Sequence, residues 1–587
     1  MREQADRIVD AVGGLDRRIA WLTLAAAMLC AAALAWIWAG DRSFVIDEWQ
    51  YLLQRSHWDP EVLLRPTLGH LIAGGLVLYN LAFSAFGADS HTPLTLITIA
   101  LQCLVAGLLY AYCSRRLGSW VALIPAVLVL FYGAGWEILL SSATLPNQVS
   151  MATGLAAMLA LDRRSRGGDV AACVLLVASV TSFSLGLAFI VGAAVRIVLE
   201  RRLAGLRRLL VPAIPLLLYV AWFAWSLHYE QTDSIAASNV GSLGAGVFDQ
   251  LNAAAAGITG LFRAVGHPAL PVALEIDTTR TAAVVVLAGA AVVWRIARGP
   301  RMSASAWGAL AIVAVYIALV ALGLSEVRHA TASRYAYMLT VLLLLTGSDL
   351  LAGLRIARGW LYAALAVLAF SLLANVAQMR TGGRFFEDES AYNEAELGAL
   401  ELVRDRADPE FVPEGGPGFA VVPYRDLTFY SREYFDAVDR FGSPADTPAE
   451  IATAAPEARR AADQLLVSAL GVAVGPPAEG RPVGDLGAIE ALNADAVEIG
   501  SCLRLSPSSP GPFGAQLDVP AEGFSYRSTR PPSSLSVGRF LLPPSIPIAP
   551  LPAAGSLRFA ADAASQPWRA SIAFTAPARI CPGAPSG

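Results

Sequence analysis

Residues 95–118 read TLITIALQCLVAGLLYAYCSRRLG. An almost unbroken apolar run ends on the pair Arg115–Arg116 and then a glycine, Gly118. A bilayer core about 30 Å thick needs about 20 mostly apolar residues in helical form. Short basic loops stay on the cytoplasmic side. The stretch therefore predicts one membrane-spanning helix and the side on which it ends.

The same pattern recurs outward from it. Apolar segments at 20–39, 93–112, 119–136, 147–161, 170–185, 186–200, 209–228, 281–295, 304–324, 336–352 and 359–378 predict an α-helical polytopic membrane protein with about eleven transmembrane helices. The pair over 170–200 also fits one long helix, which would invert everything after it. Arginine placement favours two. With a cytoplasmic N-terminus (1–19, holding Arg17 and Arg18), the clusters Arg115–Arg116, Arg163–Arg164–Arg166, Arg201–Arg202 with Arg207–Arg208, Arg295–Arg298–Arg301 and Arg355–Arg358 all fall inside. Residues 68–87, LGHLIAGGLVLYNLAFSAFG, break this alternation if counted as a span, so they are expected to lie at the outer interface or re-enter it. Two outer loops follow, 40–92 and 229–280, the second with an apolar stretch at 247–262 that reads as a surface helix.

Composition agrees and restricts function. Of 587 residues, 55% are hydrophobic and 15% charged, against about 25% charged in soluble domains. The apolar excess falls in the multi-span region 20–378, and residues 379–587 read as ordinary extracytoplasmic sequence. All 43 basic residues are arginine, which removes a lysine-dependent phosphate loop and Schiff-base chemistry. A net charge of −4 gives no reason to expect a nucleic-acid partner. No metal-ligand spacing occurs among the six histidines or the six cysteines. In the tail, 379–497 reads as a mixed region with helical stretches at 391–405 and 448–470. Residues 498–587 carry short strand-like runs (SCLRLS, AQLDV, SLRFAA, ASIAF) between Pro, Gly and Ser, the pattern of a β-sandwich. Cys502 and Cys581, the tail's two cysteines, are expected to form a disulfide if the tail is extracytoplasmic.

Three groups at the outer rim can carry chemistry. Phe44–Tyr51 (FVIDEWQY) places Asp47 and Glu48 directly after the first span. Carboxylates this near a bilayer are costly unless paired or hydrated, and capping of the following helix explains them about as well. The same loop holds Arg65 and His70, and the next outer turn holds Glu137. Arg328, His329, Arg334 and Tyr335 lie at the entry to the tenth span, where an arginine can grip a phosphate or simply anchor the helix at the interface.

These parts resemble the GT-C superfamily of integral membrane glycosyltransferases, in particular the branch of the protein mannosyltransferases and the lipid A aminoarabinose transferases. The resemblance runs from residue 44 to about 161: the pair Asp47–Glu48 after the first span, then RPTLGHLIAGGLVLYNLAFSAFG, then the span ending in Arg115–Arg116–Leu117. Ser333–Arg334–Tyr335 resembles a late outer loop whose arginine contacts the lipid phosphate. Arg65–Pro66–Thr67 departs from the family's Lys-Pro-Pro or His-Pro-Pro, and the tail matches no pattern.

The resemblance implies a sugar carried on a polyprenyl phosphate, an acceptor that is an envelope glycan, lipid or protein, and a site on the outer face of the plasma membrane. Asp47 would take the acceptor proton. Glu48 would orient the acceptor or a divalent metal. Arg334, with Arg65 or Arg328, would hold the departing phosphate, and His70, Glu137, His329 and Tyr335 would line the substrate site. One displacement predicts inversion at the anomeric carbon. Two rivals remain at this point: a transporter or flippase, for which the polar break at Thr181–Gly186 speaks, and a non-catalytic envelope scaffold presenting the tail.

Overall fold

The computed structural model describes residues 2–40, 42–45, 47–200, 205–229, 237–263, 275–298, 302–325, 328–354, 357–413, 429–477, 485–487, 489–559 and 564–583. Arg201, Arg202, Arg301, Glu326, Arg355 and parts of the 229–280 loop lie outside these residues. The chain divides into two compact units, Met1–Glu387 and Asp388–Gly587.

The first unit is helical: α1 (Arg2–Ala39), α2 (Asp47–Gln54), α3 (Pro60–Leu64), α4 (Ala73–Phe86), α5 (Thr92–Leu117), α6 (Leu123–Leu130), α7 (Trp136–Leu140), α8 (Leu145–Leu161), α9 (Arg166–Ser182), α10 (Leu185–Leu199), α11 (Gly205–Arg208), α12 (Leu210–Ser226), α13 (Leu243–Thr259), α14 (Thr278–Arg298), α15 (Ala304–Leu322), α16 (Ser333–Leu351) and α17 (Arg358–Leu402). Helix occupies most of each apolar segment read from the sequence. Among the described residues, five helices are long and apolar enough to cross a bilayer, and six if the bent pair formed by α6 and Gly133–Leu140 counts as one. This is a multi-pass membrane protein. Large apolar side chains stay exposed on its flanks, among them Val286, Leu287 and Val293 of α14 and Trp360, Phe370 and Leu373 of α17. A water-facing helix would not present so continuous an apolar surface. Inward faces are small instead: Ala20, Leu24, Ala31, Ala35 and Ala39 form the buried stripe of α1, which lets neighbouring helices approach closely.

Residues 170–200 form two helices, not one. Phe183 is extended at φ −167°, ψ 155° and ends α9. A Cβ on Gly186 would collide with the backbone of Val180, so the chain doubles back there. The expected span 119–136 is broken. Between α6 and α7 the axis turns by 47°, and Asn375 of α17 fills the break, accepting from the Ala134 N–H at 2.8 Å and donating to the Gly257 carbonyl at 2.9 Å. Buried backbone freed from a helix must find such partners. The helix expected on the surface near 247–262 is α13, and it is not superficial. Ala253, Ala254 and Ala256 are fully buried, and Gly257 backs onto Tyr132. With 14 residues, α4 reaches only about 21 Å, and like α10 and α12 it falls among the shorter apolar helices.

One end of the helical unit is an ion-pair belt. Arg116 meets Asp349 at 2.6 Å and Asp162 at 3.2 Å, Arg196 meets Asp162 at 2.8 Å, and Arg208 meets Glu200 at 2.6 Å and Asp169 at 3.1 Å. Arg295 donates to the Leu350 carbonyl at 3.1 Å. Basic turns separated by as many as 180 residues thus share one end of the bundle, as the arginine pattern requires.

In the second unit, the last part of α17 is joined by α18 (Ser431–Phe441), α19 (Pro448–Thr453) and α20 (Pro456–Ala469). The expected tail helix at 391–405 is the continuation of α17, so no loop separates it from the last apolar segment. The β part is two five-stranded antiparallel sheets. Its strands are β3 (Ile489–Leu492), β4 (Ala494–Ile499), β5 (Cys502–Pro507), β6 (Phe513–Asp518), β7 (Phe524–Ser528), β8 (Ser534–Gly538), β9 (Ile546–Pro547), β10 (Ala554–Leu557), β11 (Arg569–Phe574) and β12 (Ala578–Pro582), after a two-strand ribbon, β1 (Phe262–Arg263) and β2 (Glu275–Ile276), in the first unit. The sheet orders are β10-β7-β12-β5-β4 and β3-β6-β11-β8-β9. Alternation along β11, with Ala570, Ile572 and Phe574 inward, builds the core in the usual way of a half-buried strand. The strands begin at Ile489, before the boundary read at 498. Cys502 and Cys581 are joined. They lie on β5 and β12, adjacent interior strands of one sheet, so the bond links neighbouring strands and does not clamp sheet to sheet.

Candidate active site

The opposite end of the helical unit gathers residues from three distant segments. Asp47 opens α2 and is the first of two acidic residues in that turn. Glu137 sits in the first turn of α7. Its carboxylate accepts from the backbone N–H of Arg334 at 3.1 Å and pairs with the Arg334 guanidinium at 3.5 Å. In return the Glu137 N–H donates to the Ser333 hydroxyl at 3.3 Å. Glu137 thus caps the N-terminus of α16, a helix of 19 residues whose free N–H groups carry partial positive charge. Arg334 adds a full charge there, its guanidinium 5.3 Å from the Tyr335 ring centre.

Asp47 stands within electrostatic reach of this pair. Burial pushes its carboxyl above the usual range, and it feels Arg334 first among its neighbours, then Glu137, Glu48 and Arg328. Burial and the two carboxylates raise it, and the two arginines oppose them. A carboxylate whose proton affinity is raised is a better base than one in water. Arg328 donates to the Leu68 carbonyl at 2.9 Å, which ties the entry of α16 to the turn at 67–70.

His70 is half-buried and packs on Phe183, ring centres 4.5 Å apart, with Nδ1 2.7 Å from the Ser184 hydroxyl. Burial, then Arg328 and Arg334, push its pKa down to about 3, so the ring is neutral. The break after α9 is therefore filled by the outer loop. Gly74 backs onto Ser182 and Gly75 onto Pro146, where a Cβ would approach Pro146 Cγ to 2.5 Å.

Three expected site residues stand elsewhere. Arg65 lies over the Tyr229 ring at 5.3 Å, and its carbonyl accepts from Arg55 at 2.7 Å, so it is placed to hold the loop and not the phosphate. His329 is exposed. Glu48, adjacent to Asp47, turns the other way. Its side chain has no exposed surface, and both oxygens are taken by donors from Arg42, Val45, His91, Ser141, Ser142 and Ala143. Burial alone would raise its pKa, yet His91 and Arg42 hold it well below the carboxylate range. It has no room to orient an acceptor or a metal. Sequence reading did not single out Arg42, Arg55, His91 or Ser142. The importance of His91 and Ser142 comes from pairing with Glu48 across 43 and 94 residues, which no local pattern records.

The fold and this rim define a multi-pass helical membrane protein with an acid–arginine cluster at the end opposite its arginine belt. Similar architecture occurs in ArnT from Cupriavidus metallidurans. The structure bound to undecaprenyl phosphate matches at 11% identity and TM-score 0.41, covering 73% of this chain and 89% of that one. The apo state matches at 13% identity and TM-score 0.43, covering 67% and 82%. The archaeal oligosaccharyltransferase AglB from Archaeoglobus fulgidus, in complex with an inhibitory peptide and a dolichol-phosphate, matches at 14% identity and TM-score 0.38, covering 72% and 64%. No protein-family model and no curated protein matches the chain.

Proposed function

We propose that the chain is a GT-C-type glycosyltransferase that moves a sugar from a polyprenyl-phosphate donor to an acceptor hydroxyl on the outer face of the plasma membrane. About eleven crossings put the arginine belt in the cytoplasm and Asp47 outside. The supporting observation is the meeting of Asp47 with the Arg334–Glu137 pair at one rim. In the reaction, the acceptor oxygen attacks the anomeric carbon as its proton passes to Asp47. The carbon–oxygen bond to phosphate breaks, and the polyprenyl phosphate leaves with its negative charge opposed by Arg334 and Arg328. Phosphate needs no strong acid to depart, so one base and fixed positive charge suffice, and configuration inverts. The acceptor is an envelope glycan, lipid or protein.

The transporter reading leaned on the break at Thr181–Gly186. That break is packed by α4 and His70, which leaves it without a specific support. The test is transfer from polyprenyl-phosphate-linked sugar in proteoliposomes. Asp47→Asn should lower turnover by roughly 1,000-fold, within the range of general-base loss, while the protein inserts normally. Full turnover in Asp47→Asn would end the base assignment, and no transfer by the wild-type protein with any such donor would end the transferase reading. Since the base must be ionised and its pKa is raised, turnover should fall as pH drops through a value above the usual carboxylate range of about 4.

A further inference from the structure

Resting on the transferase reading, we propose that Glu48 is a positioning residue: together with Arg42, His91 and Ser142 it fixes where Asp47 stands relative to Glu137 and Arg334, and it does not touch the substrate. The geometry is that of a filled socket. Glu48 Oε1 receives Arg42 at 3.3 Å, Ser141 at 3.2 Å, Ser142 at 2.6 Å and the Ala143 N–H at 2.9 Å. Oε2 receives the Val45 N–H at 2.9 Å and His91 Nε2 at 3.0 Å. A carboxylate offers about four lone-pair positions, so six donors saturate it. No acceptor hydroxyl can enter without displacing one of them.

The six donors come from three segments: the link after α1, the entry to α5, and the turn between α7 and α8. That turn follows directly on α7, which carries Glu137 and through it holds Arg334. Glu48 is the covalent neighbour of Asp47. A short continuous path therefore runs from the base, through the socket, to the arginine. The socket is stiff. Burial pushes the His91 pKa down while Glu48 opposes this; its Nδ1 is 2.9 Å from the Thr95 hydroxyl, and Nε2, 3.0 Å from the carboxylate, donates to Glu48. Phe44 packs edge-on to His91 with centres 5.2 Å apart, and the Tyr79 hydroxyl donates to the Ser142 carbonyl. Arg42 stacks over Phe386 at 4.8 Å and supplies a full positive charge.

Glu48 also acts on Asp47 by charge. The ionisable groups that face Asp47 are Arg334, Glu137, Glu48 and Arg328, with Tyr51 close by on α2. Removing the Glu48 charge should lower the Asp47 pKa.

The test uses the full chain in proteoliposomes with a polyprenyl-phosphate-linked sugar. Glu48→Gln should cut kcat by roughly 100-fold, the loss typical of misplacing a reacting group by about 1 Å. Donor KM should stay within about twofold, and the acid limb of the kcat–pH profile should move to lower pH. A simple folding defect lowers the amount of active enzyme and does not move that limb. Because Glu48→Gln places a donor among donors and is prone to misfold, Ser142→Ala provides the milder variant, expected to lower kcat in the same direction with KM unchanged. A raised donor KM at unchanged kcat, or an acid limb that stays put in Glu48→Gln, would overturn the proposal. Spin labels at Gln54 and His329, both exposed, in a background without Cys30, Cys103, Cys113 and Cys173, give an answer independent of turnover. Their distance distribution should be narrow in the parent and broadened by Ser142→Ala. A distribution that Ser142→Ala and Glu48→Gln both leave unchanged would also overturn the positioning role, even if the parent showed no transfer at all.

Discussion

Asp47 and Glu48 are one residue and about 100° of helical turn apart. That rotation divides their chemistry: one carboxylate faces the Arg334–Glu137 pair and the other is sealed in its socket. The sequence makes an acidic pair at this rim legible, because carboxylates next to a bilayer need a reason to be there. It does not make legible which of the two faces the site, since that depends on partners at 91 and 142. The same logic applies to arginines. Arg65 and Arg334 look equivalent as candidates, yet Arg65 stacks on Tyr229 and Arg334 opens α16. A guanidinium offers a planar fork that an ammonium lacks. Arg334→Lys should therefore keep the charge, lose the bidentate grip, and weaken donor binding by about tenfold, equivalent to about 1.4 kcal/mol. Arg65→Lys should change donor KM by less than about twofold. Measuring donor KM in both variants checks the distinction, and equal effects would contradict the placement.

At the scale of elements, the apolar segments were legible because membrane helices carry their whole signal in local composition. What composition does not record is a break filled from elsewhere. The turn between α6 and α7 exists because Asn375, about 240 residues away, supplies the hydrogen bonds. Helix α13 reads as a surface helix because its alanines and glycines give a weak apolar signal, although those small residues are what allow it to pack inward. Helix α4 is held by a similar device. Gly74 and Gly75 let its backbone approach Ser182 and Pro146, beside the loop that carries His70. Gly75→Val should overpack this contact and destabilise the protein by about 1–3 kcal/mol, read as a lower unfolding midpoint in detergent. It should also lower turnover, because α4 lies next to the 67–70 turn that Arg328 grips. Gly289→Val, where a Cβ would meet open space, should leave both unchanged.

For the whole molecule, the two ends of the helical unit differ in kind, and that difference sets its orientation. One end is the arginine belt, and the other carries Asp47. The last turns of the first unit finish at the Asp47 end, where Phe386 packs on Trp136 with ring centres 4.9 Å apart and Gly383 backs onto Trp38. The first unit therefore ends at the rim opposite the belt. If the belt is cytoplasmic, the second unit is delivered to an oxidising compartment, and Cys502 and Cys581 are joined there. The proposed orientation therefore has two signals to satisfy, the basic turns of the first unit and the disulfide of the second. The disulfide closes a loop of sequence separation 79, which chain-entropy arguments value at about 4.5 kcal/mol as an upper figure. In intact cells, a membrane-impermeant maleimide should label Cys502 and Cys581 only after external reduction. The Cys502→Ser, Cys581→Ser variant should unfold at lower temperature yet keep transfer at permissive temperature, because neither cysteine lies in the helical unit that holds Asp47 and Arg334. Protection from the reagent after reduction would place the second unit in the cytoplasm and reverse the assignment of the Asp47 rim to the outer face, and labelling without reduction would show two free outer thiols and contradict the bond.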